Sequence, residues 1–358
     1  MSTPTSNPVN VGLIGCGDIS REHIKTYQSL GLNIVALCDL DRARSEKRKA
    51  EFGLERAVVL TDPAQLFKRD DIELVTVATP VAYHAPLTIA ALQAGKHVAC
   101  EKPSTLDVGE NKQIIAAADK AGRHVIFFSA RMRWGSASLA RQYIQDGDVG
   151  DIYRVEVQHF RSRGRPGVDI IKEARWFANK KLAGGGMLMD MGQYFMDMVL
   201  HLTGWPMITT VSATTFQGFP HDLPADVVYD VEEHATIFAR AAKTTFTFDF
   251  ANICNHKPVT RVMILGTRGG ILLDDANYFT YFSEKGGPWR QMAHTSAWRD
   301  NTGGSEHAYA ALCRAIRGET GGAGIGTTPR EALAINELTA MAYRSASEGR
   351  EIRREEIA

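Results

Sequence analysis

Residues 9–39, reading VNVGLIGCGDISREHIKTYQSLGLNIVALCD, decide the fold, because they predict one complete strand–turn–helix–strand unit. The opening run is short, apolar and rich in β-branched residues, as in a buried strand. It is followed by the glycine turn 15–20, GCGDIS, then by a helix-compatible segment and by a second strand that ends at Asp39. Such a unit is typical of proteins that hold a dinucleotide at the N-terminus of a helix.

The residue types in the glycine turn suit a bound pyrophosphate. Gly15 can adopt a backbone conformation that a β-carbon disfavours, and Gly17 lets the main chain approach the phosphates, with Asp18 and Ile19 leading into the helix. Ser20 replaces the third glycine of the common fingerprint, and so small a residue still permits close packing of helix on strand. Glycine turns also occur in other α/β proteins, but here all parts of the dinucleotide unit occur together.

The carboxylate at the end of the second strand favours NAD over NADP. Asp39 follows Gly15 at close to the roughly 20-residue spacing expected for a carboxylate that hydrogen-bonds the adenosine ribose. A carboxylate at that place repels a 2′-phosphate. Arg42 and Arg44 lie nearby, and an arginine at this turn can instead accept the phosphate, so NADP stays the less favoured alternative.

Composition excludes several classes of function. The chain has 358 residues, enough for two domains, and its 41 Lys and Arg balance its 41 Asp and Glu, which argues against nucleic-acid and membrane-surface binding. The five cysteines form no CxxC pair and the histidines show no metal-ligand spacing, so neither a disulfide framework nor a metal site is predicted. Without a signal-peptide or membrane-span pattern, we expect a soluble, cytoplasmic protein.

Strands alternate with helices over residues 1–128, which predicts an α/β Rossmann domain with a parallel sheet and helices on both faces. Ligands bind such sheets beyond the carboxyl ends of the strands. That rule places Thr79-Pro80, Glu101-Lys102 and the segment after the sixth predicted strand on one rim with the glycine turn.

Residues 129–358 predict a second α/β domain. Its strands alternate apolar and polar residues, as in an open, largely antiparallel sheet with one face solvated or paired with another subunit. The predicted strands are 153–160, 233–240, 244–250, 261–265 and 270–273. A glycine-led helix at 184–202 lies between the first two, and helices at 306–317 and 329–348 follow, leaving open whether they pack back on the first domain.

Several motifs together resemble the glucose–fructose oxidoreductase / inositol dehydrogenase (Gfo/Idh/MocA) family. They are HVACEKP at 97–103, Thr79-Pro80 with His84 following, the pair Arg133-Trp134, GGGMLMDMG at 184–192 and LGTRGG at 265–270. The resemblance covers nearly the whole chain. It implies a Rossmann domain with His84 at the cofactor rim, and a second domain whose open sheet forms a homodimer or homotetramer. It also implies an enzyme that moves hydride between NAD(P) and a sugar or polyol carbinol.

Lys102 is the predicted catalytic cation. At a strand end beside the nicotinamide, its ammonium can hydrogen-bond the reacting oxygen and favour a developing alkoxide, and Pro103 stiffens the turn after it. The alternative is a surface lysine before an ordinary turn. Glu101 either binds the nicotinamide ribose hydroxyls or pairs with a cation.

Tyr194 is the clearest departure from the family pattern, which usually has an acid/base histidine there; glucose–fructose oxidoreductase and dihydrodiol dehydrogenase also have tyrosine. Asp190 and Tyr194 are four residues apart, so a helix places them on one face, with Asp197 continuing the stripe. A phenol has a pKa of about 10 against about 6.5 for imidazole, so we expect Lys102 to lower it. Tyr194 would then exchange the carbinol proton while Asp190 orients the substrate hydroxyls or the lysine. The alternative is a tyrosine of the amphipathic core.

Three further residues are candidates for the substrate pocket. Arg131 suits a carboxylate, a phosphate or a pair of hydroxyls, and Lys172 and Trp176 precede the glycine run. The loop 164–169, GRPGVD, is expected to close over the site.

The leading hypothesis is an NAD-dependent dehydrogenase of a small carbohydrate: a sugar, a cyclitol or a related polyol. One alternative is an NAD-assisted glycosidase or lyase that oxidises its substrate transiently. The other is a non-catalytic regulator that keeps the nucleotide fold as a sensor.

Overall fold

The computed structural model describes residues 8–129, 135–274, 278–283, 290–295, 303–319 and 326–357. These residues form two compact units. Unit 1 takes its described residues from 1–128 and 302–332, and unit 2 takes them from 129–301 and 333–358. The chain therefore leaves unit 1 and returns to it near its C-terminus.

Unit 1 is built on six short, buried strands. They are β1 (Asn10–Ile14), β2 (Asn33–Cys38), β3 (Val58–Leu60), β4 (Leu74–Val77), β5 (His97–Cys100) and β6 (Val125–Phe127). Their order across the sheet is β3-β2-β1-β4-β5-β6, and every neighbouring pair is parallel. The predicted parallel Rossmann sheet is confirmed.

Helices cover both faces of this sheet, which is why its strands are continuous apolar runs. They are α1 (Ser20–Ser29), α2 (Arg42–Glu51), α3 (Pro63–Phe67), α4 (His84–Gln93), α5 (Val108–Ala121) and, from late in the chain, α9 (Gly303–Ile316). Successive strand residues point to opposite faces: Leu13 packs in a cluster with Tyr27 and Tyr309, whereas Ile14 packs in another with Leu92.

Unit 2 contains a large sheet with helices. Its helices are α6 (Gly135–Gln145), α7 (Lys180–Ala183), α8 (Gln193–Leu202) and most of α10 (Pro329–Glu348), with a π-helical turn at Leu188–Gly192. Its strands are β7 (Ile152–Phe160), β8 (Thr210–Phe216), β9 (His234–Arg240), β10 (Thr245–Ala251), β11 (Val259–Gly266), β12 (Gly269–Leu273), β13 (Tyr278–Ser283), β14 (Arg290–Thr295) and β15 (Ile352–Arg353).

The sheet of unit 2 has the order β14-β13-β12-β11-β7-β10-β9-β8-β15. Its described pairs are antiparallel except β7 with β10, which is parallel, so the expected open, largely antiparallel sheet is confirmed. Four strands, β8, β13, β14 and the two-residue β15, were not predicted from the sequence. The predicted helix at 184–202 is shorter in the structure: Gly184 has φ +83° and ends α7, and the next helical turn begins at Leu188.

One face of the unit 2 sheet carries the core and the other carries a groove. The core face packs against α8 and α10 through buried side chains such as Phe195, Phe248 and Leu338. The groove has a volume of about 720 Å³, and its lining includes Glu156, Gln158, Thr236, Asp249 and Arg261. In the described parts of both units, no helix is long and apolar enough to cross a membrane.

Candidate active site

The glycine turn of unit 1 meets two separate requirements. Gly15 has φ +92°, and a Cβ there would lie 2.3 Å from the carbonyl oxygen of Ala78, so conformation and space both demand glycine. A Cβ on Gly17 would meet no atom within 4 Å. Within the described part of the chain, the N–H groups of Gly17, Asp18 and Ile19 donate no hydrogen bond. Open space beside such N–H groups at a helix N-terminus fits a bound pyrophosphate.

The buried Arg48 of α2 holds this turn in place through hydrogen bonds. It is 5% exposed, and its guanidinium donates to Ser20 Oγ at 3.0 Å and to the Gly17 carbonyl oxygen at 3.1 Å. Its Nη1 also donates to Glu51 at 2.6 Å. Arg48 was not predicted from the sequence, because it lies in a helix rich in exposed lysine and arginine and no local pattern distinguishes the buried arginine.

Asp39 closes the turn from the end of β2. Its Oδ2 accepts the N–H of Cys16 at 2.8 Å, and its Oδ1 accepts the N–H of Asp41 at 2.9 Å. These bonds fix the carboxylate beside the glycines, where its charge opposes a 2′-phosphate. Arg42 and Arg44, the competing phosphate ligands, each pair with a neighbouring carboxylate, at 3.1 and 3.5 Å.

His84 ties together two turns at the carboxyl end of the sheet. Its Nε2 lies 2.8 Å from the carbonyl oxygen of Thr79, and its Nδ1 lies 2.7 Å from that of Pro103, after a cis Lys102–Pro103 peptide bond. The ring is 1% exposed, and this burial lowers the pKa of His84. A neutral ring carries one N–H, so it donates to one of these two carbonyl oxygens; the buried ring lies between the turn of Thr79-Pro80 and the turn that carries Lys102.

Glu101 is a buried carboxylate, 7% exposed. Its Oε2 accepts the N–H of Lys102 at 3.2 Å, and its Oε1 lies 3.1 Å from Nε2 of His23 on α1. The His23 contact has the length of a hydrogen bond, but the oxygen lies off the N–H direction, so the two groups form an electrostatic pair. The structure pairs Glu101 with His23, and the binding of the nicotinamide ribose hydroxyls by Glu101 stays a prediction.

The glycine run of unit 2 lets the chain pass close to a buried glutamate. A Cβ on Gly186 would lie 1.8 Å from the carbonyl oxygen of Glu232, and one on Gly185 would lie 1.9 Å from Oη of Tyr343. The Glu232 carboxylate accepts the N–H groups of Gly186 and Leu188 at 2.8 and 2.9 Å, and the Tyr343 hydroxyl at 2.8 Å. Burial raises the pKa of Glu232. Sequence analysis missed this residue, because its partners are distant in the chain.

The Glu232 contacts set the start of the segment that carries Asp190 and Tyr194. Asp190 lies in the π-helical turn, where one turn takes more residues than in an α-helix, and its Oδ2 is 3.7 Å from Nη1 of Arg161. Tyr194, in the first turn of α8, is half-buried. Asp197, predicted on the same stripe, is fully buried and accepts the hydroxyl of Ser129.

His159 of β7 is the titratable ring beside Asp190. Its Nδ1 lies 2.8 Å from Thr260 Oγ1, its ring packs on Phe195 with centroids 4.9 Å apart, and burial lowers its pKa to about 4. His159 is therefore neutral near pH 7.

The remaining substrate-site candidates differ in surroundings. Trp176 stacks on Phe177 with ring centroids 3.8 Å apart, and Lys172 is exposed; Arg131 lies outside the described residues. The loop 164–169 is held in place by Arg165, which pairs with Asp169 and, at 2.8 Å, with the buried carboxylate of Glu233. Within the described ranges, no group of three His, Cys, Asp or Glu side chains forms a metal-ligand set.

Known proteins match the chain in both units. A family profile described as an oxidoreductase family with an NAD-binding Rossmann fold matches residues 9–128, and the profile of the GFO/IDH/MocA C-terminal domain matches residues 138–272. The D-glucoside 3-dehydrogenase of Escherichia coli (strain K12) is 31% identical over 219 residues, which are 60% of each protein. The scyllo-inositol 2-dehydrogenase (NADP(+)) of Bacillus subtilis (strain 168) is 34% identical over 171 residues, 48% of this chain and 45% of that one. The matched segments thus span less than two thirds of these relatives.

Solved structures match over almost the full length. The structure of GenD2 from gentamicin A biosynthesis in complex with NAD has a TM-score of 0.80 at 25% identity, covering 98% of this chain and 97% of that one. An oxidoreductase domain protein from Kribbella flavida has a TM-score of 0.82 at 23% identity, covering 97% of this chain and 99% of that one, and it shows the same fold. As the motifs predicted, the chain belongs to the Gfo/Idh/MocA oxidoreductase family.

Proposed function

We propose that the chain is an NAD-dependent oxidoreductase that transfers hydride between the nicotinamide and a secondary carbinol of a sugar, cyclitol or related polyol. The observation that carries the proposal is the glycine turn, with Gly15 fixed under the Ala78 carbonyl, open space at Gly17 and Asp39 beside them. The relatives named for glucoside and inositol oxidation support the substrate class.

The turn residues bind the cofactor in this proposal. The N–H groups of Gly17, Asp18 and Ile19 hold the pyrophosphate, and Asp39 accepts the ribose hydroxyls. When bound, NAD supplies the hydride acceptor. We infer NAD over NADP because Asp39 is fixed by two backbone N–H groups and Arg42 already has a carboxylate partner. One relative is named for NADP(+), so the choice needs a direct comparison of the two cofactors.

Three side chains carry the chemistry in this proposal. Lys102 stabilises the developing oxyanion, Tyr194 exchanges the carbinol proton, and Asp190 orients the substrate hydroxyls. Arg161, 3.7 Å from Asp190, joins them as a residue that fixes the carboxylate. Lys172, Trp176 and Arg131 stay proposed contacts to the sugar.

The test is a screen of monosaccharides, inositols and glycosides for NAD- and NADP-linked absorbance change, followed by Tyr194→Phe on the best substrate. We expect turnover to fall by about 10² to 10⁴-fold, while the dissociation constant for NAD stays within about twofold. Tyr153→Phe, which changes a half-exposed tyrosine of β7, is the matched control and should keep full activity. Near wild-type turnover in Tyr194→Phe would remove this tyrosine from the mechanism.

We also infer that the grooved face of the unit 2 sheet is a subunit interface. The groove offers both signs of charge for self-complementary contacts, since Arg261 lies 3.9 Å from Glu156 and Asp249 accepts the Thr236 hydroxyl at 3.0 Å. Light scattering on the full chain would give the mass, with a dimer or tetramer expected and a monomer ruling the inference out.

A further inference from the structure

A network of buried polar side chains in unit 1 ends at Glu101. It begins at Thr76 of β4 and passes through Tyr27 of α1 and Tyr309 of α9 to His23 of α1. All five side chains are at most 8% exposed, and His23 is 2% exposed. Buried polar side chains that hydrogen-bond one another fix each other's orientation, and this network ends on the Glu101 carboxylate.

The hydrogen bonds of this network can be followed from Thr76 to His23. Tyr27 donates to Thr76 Oγ1 at 2.5 Å, Thr76 Oγ1 and Tyr309 Oη are 3.0 Å apart, and Tyr309 Oη is 3.0 Å from Nδ1 of His23. Burial raises the pKa of both phenols well above the ordinary value, so both stay protonated. The carboxylate beside Nε2 favours the tautomer with the proton on that nitrogen, and Nδ1 then accepts from the Tyr309 hydroxyl. Nε2 lies 3.1 Å from Oε1 of Glu101, with the oxygen off the N–H direction.

Contacts within unit 1 therefore hold both oxygens of the Glu101 carboxylate. Oε2 accepts the N–H of Lys102, and Oε1 is attracted to the His23 ring. Ring contacts hold His23 in turn, since it lies 5.0 Å from Phe128 and 5.9 Å from Tyr309 between ring centroids. The His23 ring has little freedom to turn, so it fixes the carboxylate.

We propose that His23 is a positioning residue that sets the Glu101 carboxylate for the nicotinamide ribose, with α9 completing the cofactor site through Tyr309. This inference rests on the proposed function, because it requires a bound dinucleotide. It assigns a role in cofactor binding to α9, which begins at Gly303, whereas the last strand of the Rossmann sheet ends at Phe127.

The experiment is a double-mutant cycle read by calorimetric titration of NAD⁺ into the full chain without sugar. We expect His23→Leu and Glu101→Gln each to weaken NAD⁺ binding by about tenfold, and the double variant to be no weaker than either, because both changes remove one interaction. His23→Gln keeps an N–H near the position of Nε2 and should recover part of the affinity. In turnover assays the KM for NAD⁺ should rise while kcat at saturating NAD⁺ changes less than threefold.

Tyr27→Phe is the control for a purely structural effect. It removes a buried hydroxyl of the same network, and this hydroxyl contacts neither Glu101 nor the nitrogens of His23. The variant should therefore have a lower melting temperature but an NAD⁺ affinity within twofold of the wild type. Additive losses in the cycle, or a tenfold loss in Tyr27→Phe, would overturn the inference. If His23→Leu does not fold, Tyr309→Phe replaces it in the cycle with Glu101→Gln. A loss of NAD⁺ affinity that does not add to the loss in Glu101→Gln supports the inference, and an additive loss overturns it. A wild-type chain that binds no NAD⁺ would defeat the proposed function itself, and the inference with it.

Discussion

Replacing Glu232 by glutamine should loosen the start of the segment that carries Asp190. The carboxylate accepts three hydrogen bonds, two from backbone N–H groups and one from Tyr343, and it is 9% exposed. A glutamine amide keeps one acceptor oxygen and turns an NH₂ group toward a donor, so at least one charge-assisted bond is lost and a buried donor is left unpaired.

The magnitude follows from those contacts. Loss of a hydrogen bond to a charged group lowers the free energy of unfolding by about 1.5–3 kcal/mol, and an unpaired buried donor lowers it by about 1–3 kcal/mol. Removal of the buried charge offsets part of this loss. We expect Glu232→Gln to lower the free energy of unfolding by about 2 kcal/mol. At about 2–4 °C per kcal/mol for a unit of this size, the melting temperature falls by roughly 4–8 °C.

Differential scanning calorimetry and urea denaturation measure both quantities. Tyr343→Phe is the matched variant, because it removes one of the three donors and leaves both backbone bonds intact, for a loss of about 1 kcal/mol. If Glu232→Gln proved as stable as the wild type, or lost less than Tyr343→Phe, the carboxylate would not hold the glycine run as we describe.

Three further outcomes are expected. Gly17→Ala places its methyl group in open space, so the melting temperature should stay within about 1 °C while NAD binding weakens at least tenfold, as titration would measure; equal affinity would show that the phosphates lie elsewhere. Asp39→Asn should raise the kcat/KM ratio of NADP to NAD by about tenfold, since it removes the charge that opposes a 2′-phosphate; an unchanged ratio contradicts this. His159 has a folded pKa of about 4 against 6.5 when unfolded, so the unfolded chain binds the extra proton between these values and stability falls as pH is lowered through them. Between pH 7 and pH 4.5, the free energy of unfolding measured in urea should fall by about 2 kcal/mol more in the wild type than in His159→Gln. Equal decreases in the two proteins would contradict this expectation.

Local patterns predicted unit 1 well for a physical reason. Parallel strands buried on both faces are continuous apolar runs, and the turn at residue 15 needs a positive φ, which glycine adopts readily. Strand β8, TVSATTF, was missed because small polar residues dominate it and its last three residues are exposed. The parallel pairing of β7 with β10 follows from how distant segments meet, which alternation along one strand does not encode.

The candidate site shows the same division. Gly15, Asp39 and Lys102 belong to contiguous motifs and were found from the sequence. His23, Arg48 and Glu232 were missed, because each acts on a residue far away in the chain: His23 reaches Glu101, and Glu232 reaches Gly186. A histidine in an amphipathic helix or a glutamate before a strand has no local pattern that distinguishes it from a surface residue.

The return of α9 to unit 1 limits how this protein can be dissected. Tyr309 and Leu312 are fully buried on one apolar face of the sheet, in a cluster with Leu13 of β1 and Ile24 of α1. The Thr327 carbonyl accepts the N–H of Phe127 on the edge strand β6 at 2.8 Å. A fragment cut after Phe128 would expose that apolar face and free the sheet edge. Chimaeras that exchange nucleotide-binding halves between relatives should therefore transfer the late helix together with the early strands.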